Sequence, residues 1–138
     1  PKTPKPLNFS QKIIIRIRKI YMATSGKLNL TVVEAQLTRD TEWFAKMDPF
    51  VKIQVRDQKL ETSVAEKGGK KPKWGETFTI EVKYVGDDLN LEVCDKDMAS
   101  VDLIGTTVIK LASLRCPGAH DEWYQIQYKG KQSGKVRL

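Results

Sequence analysis

Asp95, Asp97 and Asp102 fall within eight positions of the stretch VCDKDMASVDLIG, which runs from Val93 to Gly105. Carboxylates held this close raise one another's pKa and cost several kcal/mol if they are buried unpaired. A divalent cation removes that cost. Calcium takes about 6–8 oxygen ligands, from carboxylates and backbone carbonyls on flexible loops. The same acids also fit a solvated loop in which Asp48 and Asp97 only cap turns. Residue type alone leaves both readings open. What decides between them is which elements carry the acids and where those elements end.

From Gly26 onward, short segments alternate apolar and polar residues, with turn residues between them. They are 26–35, 49–55, 59–64, 76–82, 88–94, 104–111, 122–128 and 134–138. Leu28, Leu30 and Val32 share one face of the first, and Val51, Ile53 and Val55 one face of the second. Phe78, Ile80 and Val82 do the same in the fourth, and Leu89, Leu91 and Val93 in the fifth. Period-2 alternation with one polar face predicts antiparallel strands packed on one side. Eight such strands predict an all-β, two-sheet antiparallel sandwich.

Strands that alternate in direction send every second connection to the same end. The connections after strands one, three and five therefore meet. The first carries Asp40, Glu42 and Asp48, and the third carries Asp95, Asp97 and Asp102. The second, AEKGGKKPKWG, supplies Lys67, Lys70, Lys71 and Lys73. One end is thus predicted to gather the carboxylates of two loops beside a lysine-rich third. Trp43, Phe44 and Met47 in the first loop, with Met98 and Val101 in the third, are apolar residues placed for a bilayer interface. Phe44 is the one expected to plug the end of the sandwich instead. Trp74 is expected in the core.

The charge balance narrows the partners. The chain carries a net charge of +7, but residues 1–21 hold six basic side chains and no acid. Residues 22–138 hold 18 basic and 17 acidic side chains, so the domain itself is nearly neutral and loses the main argument for nucleic-acid binding. The chain therefore divides into an arm, 1–21, and a domain, 22–138. The arm begins with a Pro/Lys-rich lead-in, followed by QKIIIRIRKIY. As a helix it gathers Ile13, Ile14, Ile17, Ile20 and Tyr21 on one face, which suits a membrane surface. As a strand it alternates Ile13, Ile15 and Ile17. It also resembles a mitochondrial transit peptide, an extended arm packing on a protein partner, or sequence upstream of a start at Met22.

Two cysteines, Cys94 and Cys116, and no secretory signal favour a reducing, cytoplasmic setting. An enzyme is not expected. His120 has no nucleophile at a recognisable spacing, and Cys116 precedes Pro117 without a catalytic motif. The Asp95 loop is not an EF-hand, because Ser100 stands where that loop needs glycine and Thr106 where it needs glutamate.

Four ordered segments resemble the C2 domain family, the calcium-dependent phospholipid-binding β-sandwich, in its short single-domain type. They are GKLNLTVVEAQL, MDPFVKIQV, KKPKWGETFTIEV and LNLEVCDKDMASVDLIGTTVIKL, within residues 26–138. The resemblance implies an eight-stranded sandwich of Greek-key type that holds calcium between its first and third loops and docks on anionic membranes from the cytoplasm. Carried over by position, Asp48, Asp95, Asp97 and Asp102 match the family's ligands. Six residues before Asp48 the family has an aspartate; here the residue is Glu42, with Asp40 as a substitute if the loop bulges. The interval from Asp97 to Asp102 is one residue shorter than in common members. Members that have lost calcium serve as protein-docking modules, so a calcium-independent scaffold is the competing reading.

Overall fold

The computed structural model describes residues 26–114 and 120–138. The arm 1–21, Met22 and Cys116 lie outside the described residues. Eight strands form: β1 Gly26–Leu37, β2 Pro49–Val55, β3 Gln58–Glu61, β4 Lys73–Val82, β5 Asp88–Lys96, β6 Val101–Lys110, β7 Trp123–Tyr128 and β8 Lys131–Arg137. A 3-10 turn, Leu111–Leu114, follows β6. All eight predicted strands are present, several with shifted ends.

The strand order is β3-β2-β5-β6-β7-β8-β1-β4, and every pairing is antiparallel. β6 and β7 share only the pair Thr106–Gln127, so the ladder folds there into two four-stranded layers. Val32, Val51, Ile53, Ile80, Leu91, Val93, Ile126 and Val136 are buried between the layers, as the alternation requires. Trp74 is partly buried at the edge of this core, and its indole N–H donates to the Pro49 carbonyl at 3.3 Å.

Two irregularities matter for the loops. Gly75 has φ +65°, a left-handed conformation that only glycine adopts cheaply. The kink lets Lys73 and Trp74 join β4 ahead of the predicted start. Between β5 and β6 the register skips a residue: Val93 faces Gly105, but Cys94 faces Leu103. The extra residue, Ile104, turns into the core. Gly105 permits this close packing, since a Cβ there would lie 2.2 Å from Ser133 Oγ. Beyond the bulge, Asp95 stands directly opposite Asp102.

Candidate functional site

β1–β2, β3–β4 and β5–β6 are joined at one end of the sandwich by loop 1 (38–48), loop 2 (62–72) and loop 3 (97–100). Proline is tolerated at the first residue of a strand. Pro49 opens β2 this way and pairs with Asp95 on β5. The Lys96 N–H donates to the Asp48 carbonyl at 3.1 Å. Asp95 and Asp102 are therefore set by the ladder on two adjacent strands and Asp48 is tied to it at the last residue of loop 1, while Glu42 and Asp97 come from loops 1 and 3.

Asp95 is fully buried. The Thr41 hydroxyl donates to its Oδ2 at 2.6 Å, and the Asp48 N–H donates to its Oδ1 at 2.7 Å. Glu42, Asp95 and Asp97 bring carboxylate oxygens within 4.8 Å of one another. A hydrogen bond with Asp97, aided by its charge and those of Asp95 and Asp102, pushes Glu42 up to about 7. Asp102 is raised by its hydrogen bond to Asp97, then by desolvation. Asp97 accepts from both neighbours and is held below the ordinary carboxylate range. The cup thus retains a shared proton to near neutrality, because its charges face one another.

Asp40 stands apart from these three. Its Oδ1 accepts the Glu42 N–H at 3.0 Å, a local turn that aims Glu42 inward. It is Glu42 that joins Asp95 and Asp97. Asp48 borders the cup through its backbone, and its Oδ1 accepts the Lys67 N–H at 2.6 Å. That bond ties loop 2 to loop 1. The donor set is hard oxygen. His120 lies beside Leu28 and Tyr124 at the other end of the sandwich. Cys94 is buried, and burial pushes its thiol up to about 11. Oxygen donors on adaptable loops suit calcium, not zinc.

The apolar loop residues divide otherwise than expected. Trp43 (92%), Phe44 (101%) and Met98 (109%) are exposed, and Val101 is exposed at the start of β6. Met47 is 1% exposed, which corrects its assignment to the membrane surface. It precedes Asp48-Pro49, where the chain turns into β2, and its side chain enters the core. Met47 is therefore the plug expected of Phe44, which instead stands clear at the bend of loop 1. Lys67, Lys70 and Lys71 are exposed along loop 2, and Lys73 is exposed at the start of β4.

Three features near the cup were not anticipated. Thr41 positions Asp95. Lys96 and Lys46 line the cleft that Asp48, Lys67, Asp97 and Met98 share. Arg39 lies near enough to Asp102 to oppose the rise in its pKa, and its Nε–H donates to the Leu103 carbonyl at 3.4 Å. Arg39 and Lys46 carry a signal in their charge, but Thr41 carries none in sequence.

The C2 domain family model matches residues 26–126. Elicitor-responsive protein 3 of Oryza sativa subsp. japonica is 30% identical over 115 residues, 82% of this chain and 80% of that protein. Extended synaptotagmin-1 of Rattus norvegicus is 31% identical over 125 residues, 86% of this chain but only 11% of that protein. Among solved structures, a C2 domain-containing protein from a putative elicitor-responsive gene superposes with TM-score 0.68 and 27% identity, covering 82% of this chain and 85% of that one. The calcium-bound pair of C2 domains from extended synaptotagmin 2 gives TM-score 0.70 and 28% identity, covering 83% of this chain and 44% of that one. Among the described residues, no helix is long and apolar enough to cross a membrane. With the fold, the paired aspartates and the family model in agreement, this chain belongs to the C2 domain family.

Proposed function

We propose that this domain, residues 22–138, is a calcium-dependent adaptor for anionic phospholipid membranes, acting peripherally from the cytoplasm and without catalysis. One observation carries the reading. Asp95 and Asp102 oppose each other across β5 and β6, Glu42 and Asp97 close on them, and exposed Trp43, Phe44 and Met98 stand on the same loops. Like charges placed directly opposite are destabilising. A fold that sets them there without a described basic partner within salt-bridge distance leaves them to a cation.

Glu42, Asp48, Asp95, Asp97 and Asp102 would hold calcium, with Asp40 shaping the loop that delivers Glu42. Bound calcium would invert the local field and take oxygen ligands from lipid phosphate. Before that, the negative cup and an anionic surface repel. With the charge reversed, Trp43, Phe44 and Met98 enter the interface, where aromatic rings are at home. Val101 follows at the rim. Lys67, Lys70, Lys71 and Lys73 each add about 1 kcal/mol near an anionic surface. The solved calcium-bound relative supports the metal, since it shares this fold at 28% identity.

A second reading is a calcium-independent docking module. It has one observation in its favour: Arg39 beside Asp102, together with the retained proton near Glu42, already offsets part of the cup's charge. In that reading the arm 1–21 grips a protein partner.

Co-sedimentation with phosphatidylserine vesicles, in calcium and in chelator, separates them. Binding only in calcium, lost in Asp95→Asn/Asp97→Asn, is the expected result. Binding indifferent to calcium and to the substitutions would overturn it in favour of the second reading.

A further inference from the structure

We propose that the β7–β8 turn is a second basic contact for anionic phospholipid headgroups, on the side of the cup opposite loop 2. The inference rests on the membrane reading and adds to it a surface, Lys129 and Lys131 with Arg39 and Tyr128 behind them. β7 runs toward the end that carries loops 1, 2 and 3, so the turn at residues 129–130 emerges there too. Loop 2 joins β3 to β4, the two outer strands of the order, whereas β7 and β8 lie between β6 and β1. The lysines of loop 2 and those of the turn therefore bracket the cup from opposite sides.

The turn is fixed to the cup's own framework. The N–H groups of Thr38 and Arg39, at the root of loop 1, donate to the Ser133 carbonyl on β8 at 2.9 and 3.1 Å. The Arg39 guanidinium lies 3.7 Å from the Tyr128 ring centroid, and Lys129 Nζ lies 5.4 Å from the same centroid. Two cations gathered on one ring repel each other, and an anion bound near both relieves that repulsion.

Charge and backbone agree. Residues 123–138 carry Lys129, Lys131, Lys135 and Arg137 and no acidic side chain. Arg137 is engaged by Glu34 and Asp121, and Lys135 lies over Trp123. Among the described residues, no ion pair engages the exposed Lys129 or Lys131. Lys129 has φ 49° and Gly130 φ 78°, the two left-handed residues of a tight hairpin turn. Such turns favour Asn, Asp or Gly at the first of these positions. Lysine is taken there against local preference. The same holds for Lys67 in loop 2, at φ 55°. Arg56, the remaining described non-glycine residue of this kind, sits at the far end and is paired with Asp87.

The test is binding of the full chain to phosphatidylserine–phosphatidylcholine vesicles in calcium, for wild type, Lys129→Gln/Lys131→Gln and Lys27→Gln/Lys83→Gln. The last pair removes the same charge at the far end, beside Gly26 and Val82. Each lysine of the turn should be worth about fivefold, so the turn variant weakens by about 25-fold and the far-end variant by less than about twofold. Calcium binding without vesicles, followed by calorimetry, should stay as in wild type for both variants. If wild type binds in calcium and the turn variant binds as tightly, or both variants weaken alike, the turn is not a contact although the membrane reading stands. If wild type does not bind in calcium, the membrane reading fails and this inference fails with it.

Discussion

The two ends of the sandwich treat charge in opposite ways. At the far end carboxylates are matched by cations: Asp87 pairs with Arg56, Asp88 with Lys110 at 2.9 Å, and Asp121 with Arg137 at 2.6 Å. At the loop end, no described Lys or Arg comes within ion-pair distance of Glu42, Asp48, Asp95, Asp97 or Asp102. The apolar residues divide similarly. Trp123, at the far-end start of β7, is 38% exposed, whereas loops 1 and 3 expose Trp43, Phe44 and Met98 almost completely. The far end is largely neutralised from within. The loop end is left incomplete in both charge and apolar contact, and that is how a binding surface differs from a merely stable one.

The sharpest way to break this comparison is Asp95→Asn/Asp97→Asn. At the far end, removing one charge of a pair lowers stability. At the loop end the same kind of change should leave the metal-free protein at least as stable, because it relieves repulsion. Calcium affinity should fall by about 100-fold or more, since even residues that merely support metal ligands cost about 10- to 100-fold. Thermal unfolding in chelator, paired with calorimetric calcium titration, reads both. A marked loss of metal-free stability would mean that the acids are structural.

Met47 and Phe44 sharpen the division between core and surface within a single loop. Met47→Ala should cost about 2–5 kcal/mol of unfolding free energy, as for other fully buried side chains. Phe44→Ala should stay within about 0.5 kcal/mol of wild type. Membrane affinity in calcium should show the reverse, falling about tenfold or more for Phe44→Ala through lost apolar burial. Urea unfolding and vesicle sedimentation on the same two variants check it.

Alternation made the strands legible. Each predicted segment carries inward residues at every second position, and burial between two layers enforces that period. The ends were less legible, because Gly75 and the β5–β6 bulge shift register by local backbone geometry that alternation does not encode. Among the acids, Asp95 and Asp102 follow from strand pairing. Glu42 over Asp40 does not, since it depends on a turn inside loop 1. Met47 and Phe44 exchanged their expected places for the same reason. The β7–β8 turn went unremarked beside the three longer loops, although strand direction alone sends it to their end.

Thr41 tests how far the cup depends on its support. Its hydroxyl holds Asp95 Oδ2, so Thr41→Val leaves a buried carboxylate oxygen without that donor. Calcium affinity should weaken by about 10-fold, the low end of what supporting residues cost. Thr41→Ser should restore most of it. Calorimetric titration of the two variants decides the matter, and equal affinities for valine and serine would remove Thr41 from the site.

The smallest effect is the proton. Glu42 is pushed up to about 7 and Asp102 is raised, while Asp97 is lowered. A carboxyl whose pKa is raised by folding stabilises the fold fully below its unfolded value, and that stability is lost as pH rises through the folded value. For Glu42 the window runs from 4.5 to about 7. Without calcium, wild type should therefore lose stability across this window relative to Glu42→Gln, which carries no titrating group there. Calcium must displace the proton, so its affinity should be about tenfold weaker near pH 6 than near pH 8. Near pH 6, binding should release about one proton, which calorimetry detects as a heat that changes with the ionisation enthalpy of the buffer. A pH-independent affinity with no released proton would mean that calcium, if it binds, does not use the carboxylate cluster around Glu42, and the contrast between the two ends would then rest on the apolar residues alone.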